Sequence, residues 1–96
     1  GTPVPAGEVG DPADLAIETR LNGRVVQSGR TRDMIFPVAS LLAEITRGTT
    51  LPAGTVVLTG TPAGVGAGMD PPRFLQPGDV VEVEVERVGR IRNPVR

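Results

Sequence analysis

The 96 residues predict a β-rich α+β fold, a roll or small barrel, and three observations carry that expectation. Apolar and polar residues alternate over Leu15–Leu21 and again over Val81–Glu86, the period of half-buried strands. Asn22-Gly23 and Gln76-Pro77-Gly78-Asp79 are turn sequences placed beside those segments. Only one stretch has helical periodicity, and nothing shows the strand-helix-strand rhythm of a doubly wound sheet.

Taken in order, residues 1–14 carry three prolines and three glycines without periodicity and read as an extended lead-in. Leu15, Ile17, Thr19 and Leu21 then share one strand face. Asn22-Gly23 tolerates the positive φ of a type I′ turn, so Arg24–Gln27 returns as a second strand. Val38, Leu41, Leu42 and Ile45 follow the i, i+3, i+4, i+7 rule, with Pro37 near the first turn and Gly48 past the end, which predicts a helix over 37–47. After the turn Leu51-Pro52-Ala53-Gly54, the run Thr55–Thr59 suits a strand buried on both faces. The last strand pair is Val81–Glu86 and, after Gly89, Arg90–Arg92. The expectation is therefore five strands, mostly antiparallel, and one helix.

Composition excludes several functions. Net charge is −1, so attraction to nucleic acid is not expected. No cysteine or histidine is present, and all ten cations are arginine. Disulfides, thiolate chemistry, imidazole bases and lysine Schiff bases are thus ruled out within these residues, and any metal ligands would be oxygen. No apolar run approaches the roughly 18 residues of a membrane span, and the N-terminus lacks a signal-peptide pattern, so a cytoplasmic, non-membrane location is expected. The apolar stock is dominated by 14 valines with only two aromatics, too little bulk for a deep core, so a partner surface is expected.

Four features could carry chemistry. The glycine-rich stretch 60–68 leaves a predicted strand and is either a structural loop or a cradle of backbone N–H groups for an anion; it matches neither the dinucleotide fingerprint nor a Walker loop. Glu82, Glu84 and Glu86 would lie roughly 7 Å apart along one strand face and could invite a hard cation. Alternation with valine fits a solvated sheet face better. Arg30 and Arg32 could pair a substrate carboxylate or Asp33, with solvated surface favoured, and Asp33 could help to cap the helix.

Read together, Asn22-Gly23, Gln27-x-x-x-Thr31-x-Asp33-Met34-Ile35-Phe36, Leu58-Thr59-Gly60-Thr61-Pro62-Ala63-Gly64-Val65-Gly66, Pro77-Gly78-Asp79 and Gly89-x-x-x-Asn93-Pro94-Val95 resemble the C-terminal half of the fumarylacetoacetate hydrolase family. The likeness is to members of the 2-hydroxyhepta-2,4-diene-1,7-dioate isomerase and acylpyruvate hydrolase type, and it covers the chain from about Asp11 onward. It implies a mixed β-roll catalytic domain, of which 1–96 would be the C-terminal part, with the N-terminal half outside this chain. It also implies a homodimer, a small oxo-acid substrate, and a divalent cation (Mg or Mn, possibly Ca) stabilising an enolate in the complete enzyme.

Members hydrolyse carbon–carbon bonds of acylpyruvates, isomerise or decarboxylate intermediates of aromatic catabolism, or decarboxylate oxaloacetate. The family's metal-binding Glu-x-Glu and further acid, its lysine and its histidine-glutamate pair precede the matched region. Glu82-Val83-Glu84 therefore matches a late strand and inherits no metal role; no catalytic residue and no bound cation is expected in this segment alone. By resemblance, Thr61 contacts substrate oxygens through hydroxyl and backbone, and Gly60 and Gly64 let the chain pass close to the ligand. Gln27, Thr31 and Met34 also match, and hairpin or helix packing is the role expected of them. The competing expectations are a noncatalytic β-rich module that binds carboxylates or a partner, and a noncatalytic structural remnant.

Overall fold

The computed structural model describes Gly1–Arg96. Four strands, β1 (Ala16–Leu21), β2 (Arg24–Arg30), β3 (Val80–Val85) and β4 (Gly89–Pro94), form one antiparallel sheet in the order β2-β1-β3-β4. Helix α1 (Ala6–Val9) precedes the sheet, and α2 (Val38–Thr46) follows β2. This is the expected α+β class, with an open sheet where a roll or barrel was anticipated and with no parallel pair within these residues.

The first hairpin turns as its sequence requires. Asn22 has φ 52° and Gly23 φ 80°, the two positive values of a type I′ turn. Thr19 pairs with Gln27 but Arg20 with Val25, so Val26 is an extra, bulged residue in β2. Directly paired residues share a sheet face, which groups Ile17, Thr19 and Leu21 with Val81, Val83, Val85, Gln27 and Gly29 on the mainly apolar face.

The opposite face is a lattice of charge. Arg20 bridges Glu18 at 2.6 Å and Glu84 at 2.9 Å, Arg90 approaches Glu82 at 3.7 Å, and Arg30 lies 2.6 Å from Asp14 and 3.7 Å from Glu86. The glutamate stripe is thus the wet side of a sheet, held by arginines.

A polar latch joins the two halves of the sheet. Asp79, one of three buried residues with Leu15 and Leu21, accepts hydrogen bonds from the Asn22 side-chain amide and the Gln76 backbone N–H, both at 2.9 Å. The Asn22 side-chain oxygen in turn accepts from the Val80 N–H at 2.8 Å. These donors, the Asn22 amide first, hold the Asp79 carboxyl below the ordinary aspartate range.

Three expectations need correction. Residues 55–59 form no strand: Val56 is 82% and Leu58 92% exposed, and the run has no neighbouring strand to pair with. β-Branched residues favour a pleated conformation only where a ladder and a packing surface exist. The lead-in is not wholly extended; besides α1 it holds a 3₁₀ turn at Pro12–Asp14, capped by the Asp11 carboxylate accepting from the Ala13 N–H at 2.9 Å. Asp33 caps nothing, because α2 starts after Pro37 and has no side-chain cap.

The chain spreads over 42 × 28 × 24 Å with a radius of gyration of 15.4 Å, against about 12–13 Å for a compact chain of this length. Its accessible surface is 7364 Å², some 2,100 Å² more than the roughly 5,200 Å² usual at this mass. Ile35, Phe36, Leu58 and Phe74 are among the exposed apolar side chains. The expected shortage of internal core is what the fold displays. No helix is long and apolar enough to cross a membrane.

Candidate functional site

The segment after α2 returns across β2 and is fitted to it at three points. Gly29 offers no side chain where Pro62 rests; a Cβ there would lie 3.3 Å from the Pro62 ring. Gly64 has φ 106°, and a Cβ at this position would run into the Val26 carbonyl oxygen of the bulge. Between these contacts the Gln27 side-chain nitrogen donates to the Thr61 hydroxyl oxygen and to the Pro62 carbonyl, each at 2.9 Å. The turn Leu51–Gly54 leads into this segment and is closed by the Thr55 hydroxyl and N–H, which donate to the Pro52 carbonyl at 2.7 and 3.2 Å.

A cavity of about 640 Å³ opens between that loop, β1–β2 and the start of α2. Thr59, Gly60, Thr61, Pro62 and Ala63 form one wall. Met34, Ile35, Phe36, Val38 and Leu41 form an apolar wall, with Ile17 of the sheet face and the charged Arg30 and Asp33 completing it. The helical stripe predicted from sequence therefore faces the cavity through Val38 and Leu41.

Of the predicted site residues, Thr61 and Gly60 line the cavity together, while Gly64 is absent from the lining. The need for glycine at 64 comes from the approach of the β2 backbone. The Thr61 hydroxyl accepts from Gln27 and donates to no group of the chain, and the backbone N–H groups of Gly60 and Thr61 have no acceptor within it. Donors left free on residues that line a cavity are groups with which a carboxylate or an oxo oxygen could be held, if they face it.

Thr31 and Met34, for which packing was expected, both border the cavity, but the Thr31 hydroxyl is spent within the fold. It accepts from the Leu15 N–H at 2.8 Å and donates to the Pro12 carbonyl at 2.6 Å. Arg30 is held at the cavity edge by Asp14, whose hydrogen bond raises the Arg30 pKa and lowers that of Asp14. Arg32 reaches Asp14 at 3.7 Å and Asp33 at 4.0 Å on the surface. The sequence reasoning missed the reach of Gln27 to the glycine-rich loop. Its signal was the parity of Gln27 and Gly29, which places a donor and a bare backbone on one face of the hairpin.

No three acidic side chains stand together in a way that could hold a metal ion. Glu82, Glu84 and Glu86 point their charge at Arg90, Arg20 and Arg30. The residues present do not fit the divalent cation that the family resemblance implies.

Residues 1–96 match the family model described as fumarylacetoacetate (FAA) hydrolase C-terminal. The oxaloacetate tautomerase YisK of Bacillus subtilis is 42% identical over 85 residues, covering 88% of this chain and 28% of that protein. A fumarylacetoacetate hydrolase from psychrophilic Exiguobacterium antarcticum superposes with a TM-score of 0.88 at 52% identity, covering 92% of this chain and 32% of that one. A 2-hydroxyhepta-2,4-diene-1,7-dioate isomerase from Mycobacterium marinum gives 0.74 at 43% identity, covering 88% and 31%. The chain spans about a third or less of the length of these relatives. With the glycine-rich loop and its hairpin platform set as described, the chain belongs to the fumarylacetoacetate hydrolase family.

Proposed function

We propose that these residues form the C-terminal part of a catalytic domain and supply the oxo-acid-holding wall of an enzyme acting on a small 2-oxo or 2,4-diketo acid. The observation that carries this is the Thr61 hydroxyl, with its proton unclaimed by any group of the chain, on a wall of the cavity that Gly60 also lines. A carboxylate or enolised oxygen placed there would accept from Thr61, while the apolar wall at Met34, Phe36, Val38 and Leu41 would take the less polar end of the substrate. The family's chemistry is hydrolysis, isomerisation or tautomerisation around such an oxo acid, and the named relatives include a hydrolase, an isomerase and a tautomerase.

The chain contains no lysine, histidine or cysteine, and Asp33 is the one carboxylate on the cavity lining. By the family resemblance, a lysine or histidine that moves a proton would come from an upstream half, as would the ligands of a divalent cation. Exposed apolar side chains such as Ile35 and Leu58 support a polypeptide seated against this face, either that upstream half or a second subunit.

The test is to assay the 96-residue chain with acetylpyruvate and with oxaloacetate in the presence of Mg²⁺ or Mn²⁺, then repeat with the upstream half supplied. Turnover only in the second case is expected. Turnover by the short chain alone would refute the division of labour, and binding without turnover in the completed protein would favour a noncatalytic carboxylate-binding module.

A further inference from the structure

We infer that Gln27 is a positioning residue for the Thr61 hydroxyl: it occupies the oxygen as an acceptor and so leaves the Thr61 proton to be donated into the cavity. The inference rests on the proposed oxo-acid site and deepens it.

The identity of the atoms at Gln27 follows from its two partners. Oxygen and nitrogen of a glutamine amide are interchangeable in shape, so their assignment has to come from the surroundings. The same atom lies 2.9 Å from the Thr61 hydroxyl oxygen and 2.9 Å from the Pro62 carbonyl oxygen. A carbonyl can only accept, so the atom facing it is the NH₂ group, and its two hydrogens are spent on Pro62 and Thr61.

A threonine hydroxyl has one proton and two lone pairs. Free to rotate, it could donate to a glutamine oxygen, to a backbone carbonyl or to water. With an NH₂ hydrogen directed at its oxygen, donation toward Gln27 is excluded, and no other acceptor of the chain is bonded to it. The rotamer aimed at Gln27 is thereby closed off before any ligand arrives, which lowers the cost of ordering the proton on binding. Gln27 itself is absent from the cavity lining, so it acts through Thr61 and does not touch the substrate.

Its location explains how the arrangement is held. Gln27 pairs with Thr19 immediately after the bulge at Val26, and the bulge also brings the Val26 carbonyl against Gly64. One irregularity in an otherwise regular hairpin thus sets both the donor and the seat of the loop it orients.

The experiment is a double-mutant cycle in the enzyme completed with its upstream half, with oxaloacetate and acetylpyruvate as probes. Gln27→Met keeps the length of the side chain and removes the donor. It should lower kcat/KM about five- to twentyfold and, because both bonds that fasten the loop are lost, lower the thermal midpoint by no more than a few degrees. In a Thr61→Ala background the same substitution should change kcat/KM less than twofold, because the group it orients is gone. Thr61→Ser should retain most of the activity.

If Thr61→Ala has no effect, the oxo-acid site itself is refuted and this inference with it. If Thr61→Ala is harmful while Gln27→Met is harmless, or if the two effects multiply, the site stands and the role of Gln27 is overturned. A measurement on the unmutated protein guards against misfolded variants: the Gln27 side-chain amide hydrogens should show NMR contacts to the Thr61 methyl group, and their absence would also overturn the inference.

Discussion

Replacing Gly64 with alanine sets two opposing costs against each other. To keep the loop seated, alanine would have to adopt φ 106°, a conformation that costs about 1–3 kcal/mol for a residue with a side chain. Its methyl group would also collide with the Val26 carbonyl oxygen, and accommodating such overpacking costs about another 1–3 kcal/mol. Against this, the loop is fastened to β2 by the two hydrogen bonds from Gln27, worth about 0.5–1.5 kcal/mol each, and by Pro62 resting on Gly29. The strain is the larger quantity, so the loop should lift from β2 rather than endure it. Gly64→Ala should therefore move the thermal midpoint by only a few degrees while lowering kcat/KM of the completed enzyme more than tenfold. The NMR contacts between the Gln27 amide and Thr61 should vanish with it. Wild-type kcat/KM with those contacts intact would refute the reasoning, because it would show a loop indifferent to the Val26 backbone.

Thr61→Ala should weaken transition-state binding by about 1–3 kcal/mol, the scale of a lost hydrogen bond to a charged group, read as a fall in kcat/KM. Asp79 has a lowered carboxyl pKa in the folded chain, so its contribution to stability is complete above the ordinary value of 3.8 and is lost as pH falls through the folded value. NMR titration of its carboxyl should show that depression, and Asn22→Ala, which removes the side-chain amide donor, should relieve much of it; an unchanged titration would contradict the latch. Expressed alone, the chain should self-associate and bind a hydrophobic dye, because its excess of about 2,100 Å² is the size of one side of a large interface. A monodisperse monomer with a sharp thermal transition would argue against that.

Much of the framework was legible because local rules and tertiary demands agree there. Asn22-Gly23 has one good conformation, and the alternation along β1 and β3 leaves little freedom in which face turns inward. The α2 stripe was readable for the same reason. Thr55–Thr59 misled because a valine-rich run reports only a preference for pleated backbone, and the ladder that would realise it is not formed by these residues. The Glu82–Glu86 stripe was correctly placed on a wet face, although the particular arginines that hold it could not be read from spacing. Thr61 and Gly60, singled out by resemblance through the Gly-Thr-Pro turn, fall on the cavity wall. The reach of Gln27 to Thr61 was not legible, because parity puts Gln27 and Gly29 on one face but does not say which loop, more than 30 residues away, folds back onto it.

The latch between Asn22 and Asp79 divides the molecule into a frame and an excursion. Since the hydrogen bonds at Asn22 close the frame on β3 directly, residues 31–79 leave it at one edge and rejoin it at a point fixed independently of their course. The entropic cost of such a detour grows only slowly with its length, about 0.6 kcal/mol for each doubling. The apolar wall of the cavity, from Met34 to Leu41, belongs wholly to the detour, whereas Gln27 belongs to the frame. Insertion or exchange early in the excursion can therefore reshape the apolar wall, while the Thr61 segment later in the same excursion stays tied to the hairpin through Gln27.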